Sequence, residues 1–471
     1  MNIRMSKLLD ERWVRAIAIA GFIALMGYMV GKLTLDPSKV RLLLASAFIL
    51  ILMSFSLRKP QISLYMLLFF LPMLGFIRRT LIPVAGWNSL DPLVLVSPAI
   101  AFLLVFHWFY LTYIRRTAAV TYTPLFRMIV WMLIVDCIQI FNPAQGSLFT
   151  GFAGVLFYIV PMCYYFVGRE YLDAKRMKFI LATVYSIGLL VALYGYKQYY
   201  FGYYSFEEMW VEISGYTALK VYNIMRPISS FSSASEYAFY LAIAIVIGWV
   251  YVLRSKGGLK IVGLLGTVFL YSALFVESAR GAIVTVTLAL VVISILHARK
   301  LSNKIAITII ASLVLTGLFI GMSKLNTTND LIYHSVIGLT DPLGEQSTTI
   351  GHVDRMFEGF IKGFSSPLGH GLGSTTIAAG KFNSASVSSE VDLSNQFIAT
   401  GFVGGILYLI SMIIILKLAI QHARRSAIHL TILGVLIAQA GQWLNGGHYS
   451  TVVLIWLLIG FLDKSTLQKE E

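Results

Sequence analysis

The chain is short of charge. Asp, Glu, Lys and Arg make up only 13% of its 471 residues, while 58% are hydrophobic. A soluble domain carries about twice that charged fraction. No stretch long enough to stand alone reads as a separate soluble domain. Cysteine is nearly absent: Cys137 and Cys163 are the only 2, both inside apolar stretches. They read as small core residues, with no sign of a disulfide framework or metal site. Acid is scarcer than base, 22 residues against 37, for a net charge of +15. In a chain this apolar, basic loops fix topology and touch anionic lipid, a better account than nucleic-acid binding. The sequence also lacks a phosphate-binding Gly-Lys-Ser/Thr loop, a dinucleotide fingerprint, zinc spacing and an internal repeat at the level of residues. No clear small-residue cleavage site follows Arg4, Lys7, Arg12 and Arg15. The first apolar run therefore reads as a retained span.

What the sequence has in abundance is apolar runs near bilayer length. They fall near 13–33, 40–57, 61–77, 92–114, 124–142, 150–168, 178–199, 236–253, 260–278, 281–298, 305–322, 395–416, 427–443 and 449–463. About fourteen helices result, an even number, which puts both termini on one side. The expected fold is an all-α polytopic membrane protein, one transmembrane domain over 1–471. A barrel would show short alternating segments instead. With the N-terminus inside, roughly two-thirds of the Lys and Arg fall on the inner side, as the charge bias requires. Two outer segments are then long, near 200–235 and 323–394. The second is a large extracytoplasmic loop between transmembrane helices. Short or amphipathic helices are expected in it, such as one over 353–364.

Against that inward bias, arginines gather at the outer boundary. Arg226 lies in Met225-Arg226-Pro227, Arg280 in Glu277-Ser278-Ala279-Arg280-Gly281, and Arg355 in His352-Val353-Asp354-Arg355. Guanidinium stays charged in any protein environment and grips phosphate oxygens with paired donors. A departing pyrophosphate needs such a clamp as charge builds on it. Each arginine alone reads more readily as an interfacial anchor or as the partner of a carboxylate such as Glu277 or Asp354. All of them on one side, flanked by small residues, point to an anion.

Carboxylates come next. Glu390 and Asp392 precede the span that opens at Phe397. Near bound phosphates, either could accept a proton from a sugar hydroxyl. Equally, both acids favour a helix N-terminus. His370, in Pro367-Leu368-Gly369-His370-Gly371, is a base or a turn histidine, and His352 stands near enough to orient Arg355. Arg78 and Arg79 begin an outer loop that holds Trp87. There they steer anionic lipid or sugar, or sit at the headgroups. Asp136 and His107 lie inside spans, where ionisable groups are costly. They pair within the bundle or mark an ion path.

In this order, these residues resemble the O-antigen ligase/polymerase superfamily, whose members include Wzy-type polysaccharide polymerases and O-antigen ligases. The resemblance covers about Arg226 to Gly405, with the multi-span layout beyond. Arg226, with Ser-Ser-Phe and Glu236-Tyr237-Ala238 after it, is similar to the family's arginine before a span. Ser278-Ala279-Arg280-Gly281 resembles its Ser-x-Arg-Gly signature. Arg355 followed by Ser366-Pro367-Leu368-Gly369-His370-Gly371-Leu372-Gly373 resembles its large-loop motif, and Asp392 to Gly404 its re-entering segment. Ligases of the family carry a histidine about eleven residues before the first glycine of that segment; here the position holds Glu390. Polymerases vary more at this place, which favours a polymerase.

The resemblance implies a GT-C-like fold and a metal-independent, inverting glycosyl transfer that uses no cofactor. The site would face outward on a bacterial cytoplasmic membrane, with both termini cytoplasmic. Donor and acceptor would be oligosaccharides on undecaprenyl pyrophosphate. Membrane lipid and other polysaccharide-assembly proteins, a chain-length regulator among them, would be partners. Arg280 and Arg355 would hold the pyrophosphate with Arg226 assisting, and Glu390 or Asp392 would be the base. Two rivals stand beside the polymerase: a ligase for a lipid, wall or protein acceptor, and a flippase of lipid-linked sugars. A flippase needs charges along a path through the membrane centre and related halves.

Overall fold

The computed structural model describes residues 39–87, 90–116, 121–216, 219–221, 224–325, 329–341, 344, 349–382, 389, 391–444 and 447–467. The expected span near 13–33 and the candidate base Glu390 lie outside the described residues, as does the side chain of His352. The principal helices, in chain order, are α1 (Val40–Ser56), α2 (Pro60–Thr80), α3 (Val96–Phe109), α4 (Pro124–Gln139), α5 (Leu148–Val155) and α6 (Ile159–Tyr171). Then come α7 (Ala174–Phe201), α8 (Ser205–Ser214), α9 (Ala234–Arg254), α10 (Gly258–Glu277), α11 (Arg280–His297) and α12 (Leu301–Ser323). The last are α13 (Asp330–Thr340), α14 (Thr349–Ser365), α15 (Ile377–Lys381), α16 (Asp392–His422), α17 (Ala427–Ala438) and α18 (Tyr449–Thr466). A short antiparallel pair, β1 (Lys220–Val221) and β2 (Ile224–Met225), lies just before Arg226.

Among the described residues, 10 helical segments are long and apolar enough to cross a membrane. Helix is what such sequences must form in lipid, because every backbone N–H and C=O has to find its partner within the segment. The chain is an all-α polytopic membrane protein. Some expected spans are modified. Crossing a bilayer takes about 20 residues, yet α1 has 17, α4 has 16 and α17 has 12. The helix α4 stops before Asn142-Pro143, where Asn142 caps a new turn. Beyond α17, Gly441 turns the chain with φ +79°. The span expected near 150–168 is interrupted at 156–158, between α5 and α6. The amphipathic helix expected over 353–364 is part of α14.

The core forms around α6, α9 and α18. In the most apolar window of α18, 83% of residues are buried, and in α9 78%. Such helices are apolar all round because protein surrounds them. Contact between α6 and α18 is close because glycines face each other across it. A Cβ on Gly168 would stand 2.2 Å from the Leu457 carbonyl oxygen, and one on Gly460 would stand 2.0 Å from that of Tyr165. Small residues allow such approach where lipid removes the hydrophobic drive between helices. By contrast α12 is more apolar still but buries none of its window, so most of its surface is left to lipid. Cys163 is a core residue; Cys137 is exposed on the outer face of α4, contrary to its expected place in the core.

Two buried polar centres mark the ends of the bundle. At one end Asp463 Oδ2 accepts from Arg169 Nη1 at 2.6 Å, Tyr165 at 2.6 Å and Thr123 at 2.8 Å. At the other, the ends of α2, α9, α16 and α18 meet α8 around a cavity. Inside the bundle Asp136 accepts from Gln396 at 3.1 Å, and His107 meets the Tyr171 hydroxyl at 3.0 Å. Both ionisable groups therefore have partners among neighbouring helices.

Candidate functional site

The cavity has a volume of about 1060 Å³. Its cations are Arg78 and Arg79 from α2, Arg355 from α14 and Lys381 from α15. Trp87, Tyr158, Trp210, Tyr216 and Tyr449 supply aromatic faces. On one flank Leu90, Leu95, Phe149 and Phe152 line it while also presenting large exposed surfaces to the outside. A single cavity thus joins positive charge, sugar-sized aromatic planes and an apolar edge. Burial and the charge of Arg78 both hold the Lys381 ammonium below its usual range.

The arginines Arg78 and Arg79, adjacent in sequence, do different things. Arg79 is buried, and its two terminal nitrogens each donate at 2.5 Å, to the carbonyls of Phe231 and Ser229. It ties α2 to the segment before α9. Arg78 is held by its Nε, which donates to Asp91 at 3.1 Å. Its guanidinium lies over the Trp87 ring, 4.9 Å from the centroid. The same Asp91 oxygen takes Arg41 Nη1 at 2.5 Å. One carboxylate therefore serves two guanidiniums, and the trio keeps a net positive charge facing the cavity.

Arg226 reaches the junction at which Arg280 opens α11. Helix α10 ends at Glu277, and Ser278 makes the turn into α11 in the left-handed region, φ +73°. Non-glycine residues rarely adopt that conformation, and strain of this kind gathers at functional sites. Arg226 Nη2 donates to Glu277 Oε1 at 2.6 Å and Nε to the Glu277 carbonyl at 3.1 Å. The other Glu277 oxygen accepts from the Ala279 N–H at 3.0 Å. Arg280 lies across Gly338 of α13, where a Cβ would stand 1.9 Å from its Cδ. Between the two arginines sits His334, its Nδ1 2.7 Å from the Ser278 hydroxyl. Desolvation first, then Arg280 and Arg226, push its imidazole down to about 4, so it is neutral at pH 7. Tyr216 lines the cavity; burial pushes its phenol up, and it also feels the charges of Arg226 and Glu277. Arg226 and Arg280 both act on His334, while Arg355 lines the cavity with Arg78 and Arg79.

The glycine-rich run around His370 is a strut. Gly401 breaks α16 with φ +70° and ψ −165°. The carbonyls freed there, of Ile398 and Ala399, accept from the N–H groups of His370 at 2.8 Å and Gly371 at 3.0 Å. Phe402 N–H donates back to Pro367 at 3.1 Å. On the other side, Gln139 donates to the Leu368 carbonyl at 2.9 Å, and Leu372 N–H to that of Gln139 at 3.1 Å. Broken backbone inside a membrane protein survives only when protein or a water-filled cavity supplies such partners. His370 belongs to this strut, with Nδ1 3.3 Å from the Ile398 carbonyl oxygen.

Asp392, the first residue of α16, lines the cavity and is buried. Its Oδ2 accepts from the Leu444 N–H at 2.8 Å. Sequence reasoning passed over His334 and Lys381, which sit in the long loop without any local motif. It also passed over His448, buried on the cavity wall. His448 Nε2 meets the Ser235 hydroxyl at 2.9 Å, its Nδ1 has no described partner, and burial holds the ring down at about 3.

No protein-family model matches this chain, and no curated protein matches it. The resemblance to the O-antigen ligase/polymerase superfamily rests on the quoted residues alone.

Proposed function

We propose that the chain is a polysaccharide polymerase of the bacterial cytoplasmic membrane, with both termini cytoplasmic and the cavity on the outer side. It joins undecaprenyl-pyrophosphate-linked oligosaccharides without metal or cofactor. The observation that carries this reading is the cavity itself: cations, aromatic planes and an apolar flank in one space at one end of a membrane bundle. A lipid-borne sugar pyrophosphate has parts that match each.

In the proposed step, an acceptor hydroxyl attacks the anomeric carbon of the donor sugar from the face opposite the leaving group. The carbon–oxygen bond to pyrophosphate breaks, and undecaprenyl pyrophosphate departs with the electron pair. Arg280 and Arg355, with Arg226, hold that developing charge, since preset donors stabilise it without reorganisation. The hydroxyl proton goes to a carboxylate. Of the two candidates, Asp392 lines the cavity. Energy comes from the sugar–pyrophosphate bond, which suits a chain without a nucleotide-binding loop.

Ligation to a lipid, wall or protein acceptor would use the same donor chemistry. A flippase would need charge along a central path, whereas the cavity cations lie at one end. The test is to incubate purified protein with lipid-linked repeat units and no nucleotide, then resolve the glycans. Longer chains are expected, lost in Arg280→Ala and Arg355→Ala and kept in the exposed control Lys260→Ala. Translocation in vesicles without chain growth would favour the flippase instead.

A further inference from the structure

Helix α14 carries an apolar stripe that the fold does not cover. Ile350, Val353, Phe357, Ile361 and Phe364 recur at every third or fourth residue, so they share one face. Each is between 42% and 67% exposed. A continuous apolar face of this kind marks a surface that meets something other than water.

The rest of the helix is accounted for. Gly359 and Gly363 bring it close to the start of α16; a Cβ on Gly363 would stand 2.6 Å from that of Phe397. Asp354, Arg355, Glu358 and Lys362 occupy the remaining arc, two of each sign. Arg355 is two residues from both Val353 and Phe357, about 160° round the helix from each. It lines the cavity while the stripe faces away.

The stripe runs on into the lipid-facing surface of α16. The Phe364 and Phe402 rings lie 6.1 Å apart, and Phe402 and Val403 are themselves exposed. Beyond the break at Gly401, the stretch from Phe402 to His422 is about 30 Å long. The hydrocarbon layer of a bilayer is also about 30 Å thick. Phe402 therefore stands at the boundary of that layer, on the side where Asp392 meets the cavity. Phe364 brings the stripe to the same level.

We propose that α14 is an interfacial helix. It lies in the membrane boundary at the cavity end of the bundle, with its stripe among lipid acyl chains and its Arg355 side towards the cavity. Lipid is the occupant, rather than a second copy or a protein partner, because the stripe continues a surface that already faces lipid. Its charges balance, so apolar burial seats it without a demand for anionic headgroups.

The test uses the full chain with Cys137→Ser, which leaves only the buried Cys163. A thiol-reactive fluorophore is placed at Phe357→Cys or Ile361→Cys on the stripe, and at Glu358→Cys or Lys362→Cys on the charged arc. The protein is reconstituted into phosphatidylcholine vesicles whose acyl chains are brominated at graded depths, with iodide on both sides as the aqueous quencher. Stripe probes are expected to lose most fluorescence to bromines about 5–10 Å below the headgroups, and to resist iodide. Charged-arc probes should do the reverse, and added phosphatidylglycerol should change neither. Stripe probes quenched by iodide, or shielded from both quenchers, overturn the proposal: the first result puts the stripe in water, the second under protein. A bromine pattern that appears only with phosphatidylglycerol also overturns it. Both stripe residues are exposed, so neither replacement opens a packed core, and either carries the test if the other does not fold. The readout needs no substrate and stands apart from the polymerase reading.

Discussion

Nε of Arg78 lies 3.1 Å from Oδ2 of Asp91, the oxygen that also receives Nη1 of Arg41 at 2.5 Å. The carboxylate is fully buried. Asp91→Asn removes the charge that offsets two guanidiniums, and breaking such a buried group costs about 3 kcal/mol. The melting temperature in detergent is expected to fall clearly below that of Lys260→Ala. A variant that melts with the control contradicts this role for Asp91.

The Arg226–Glu277 pair calls for a double-mutant cycle. Glu277 is fully buried and Arg226 partly so. Glu277→Gln leaves a guanidinium facing an amide, and Arg226→Gln leaves a buried carboxylate. Each alone is expected to cost about 3 kcal/mol, the pair together clearly less than their sum. Additive losses would mean the two side chains stabilise the fold independently.

Gly401 is the pivot of the broken helix. At φ +70°, with a Cβ destined for a point 2.1 Å from the Pro367 carbonyl oxygen, it has no room for a side chain. Gly401→Ala is expected to cost about 2 kcal/mol or more. Gly317→Ala on the lipid-facing α12, where a Cβ meets nothing within 4 Å, should be neutral or slightly stabilising. Equal melting of the two variants contradicts the strut.

His334 gives a pH signature. Its folded value is depressed to about 4, against an ordinary value near 6.5. Between these limits the unfolded chain binds the extra proton, so this residue's contribution to stability is present above about 6.5 and lost as pH falls towards 4. The melting-temperature difference between wild type and His334→Gln is expected to drop on going from pH 7.5 to pH 5. A constant difference would place the imidazole in water.

Most helices were legible because lipid imposes one rule on all of them, apolar side chains and self-satisfied backbone. The junction Glu277 to Gly281 was legible too, since an arginine between two apolar runs has no local excuse. What failed was what depends on distant partners. Arg79 looks like Arg78 in sequence, yet its fate is fixed by a carbonyl 150 residues away. The glycines around His370 look like a flexible loop, but each carries a close approach to Gly401, Gln145 or Thr150. His448 and Lys381 acquire significance only when α15 and the start of α18 are brought to one cavity. Of the three outer arginines, Arg226 and Arg280 both reach the surroundings of His334, and Arg355 comes to the cavity from a helix of the long loop.

The most direct test of the whole account is to locate a lipid pyrophosphate in the protein. A photoactivatable prenyl pyrophosphate would be crosslinked in native membranes and the labelled peptides identified by mass spectrometry. Labelling is expected on the peptides holding Phe149 and Phe152, and on that holding Arg355, and excess undecaprenyl pyrophosphate should compete it away. Label confined to the lipid-exposed surface of α12, or unaffected by the competitor, would contradict the cavity as the substrate site.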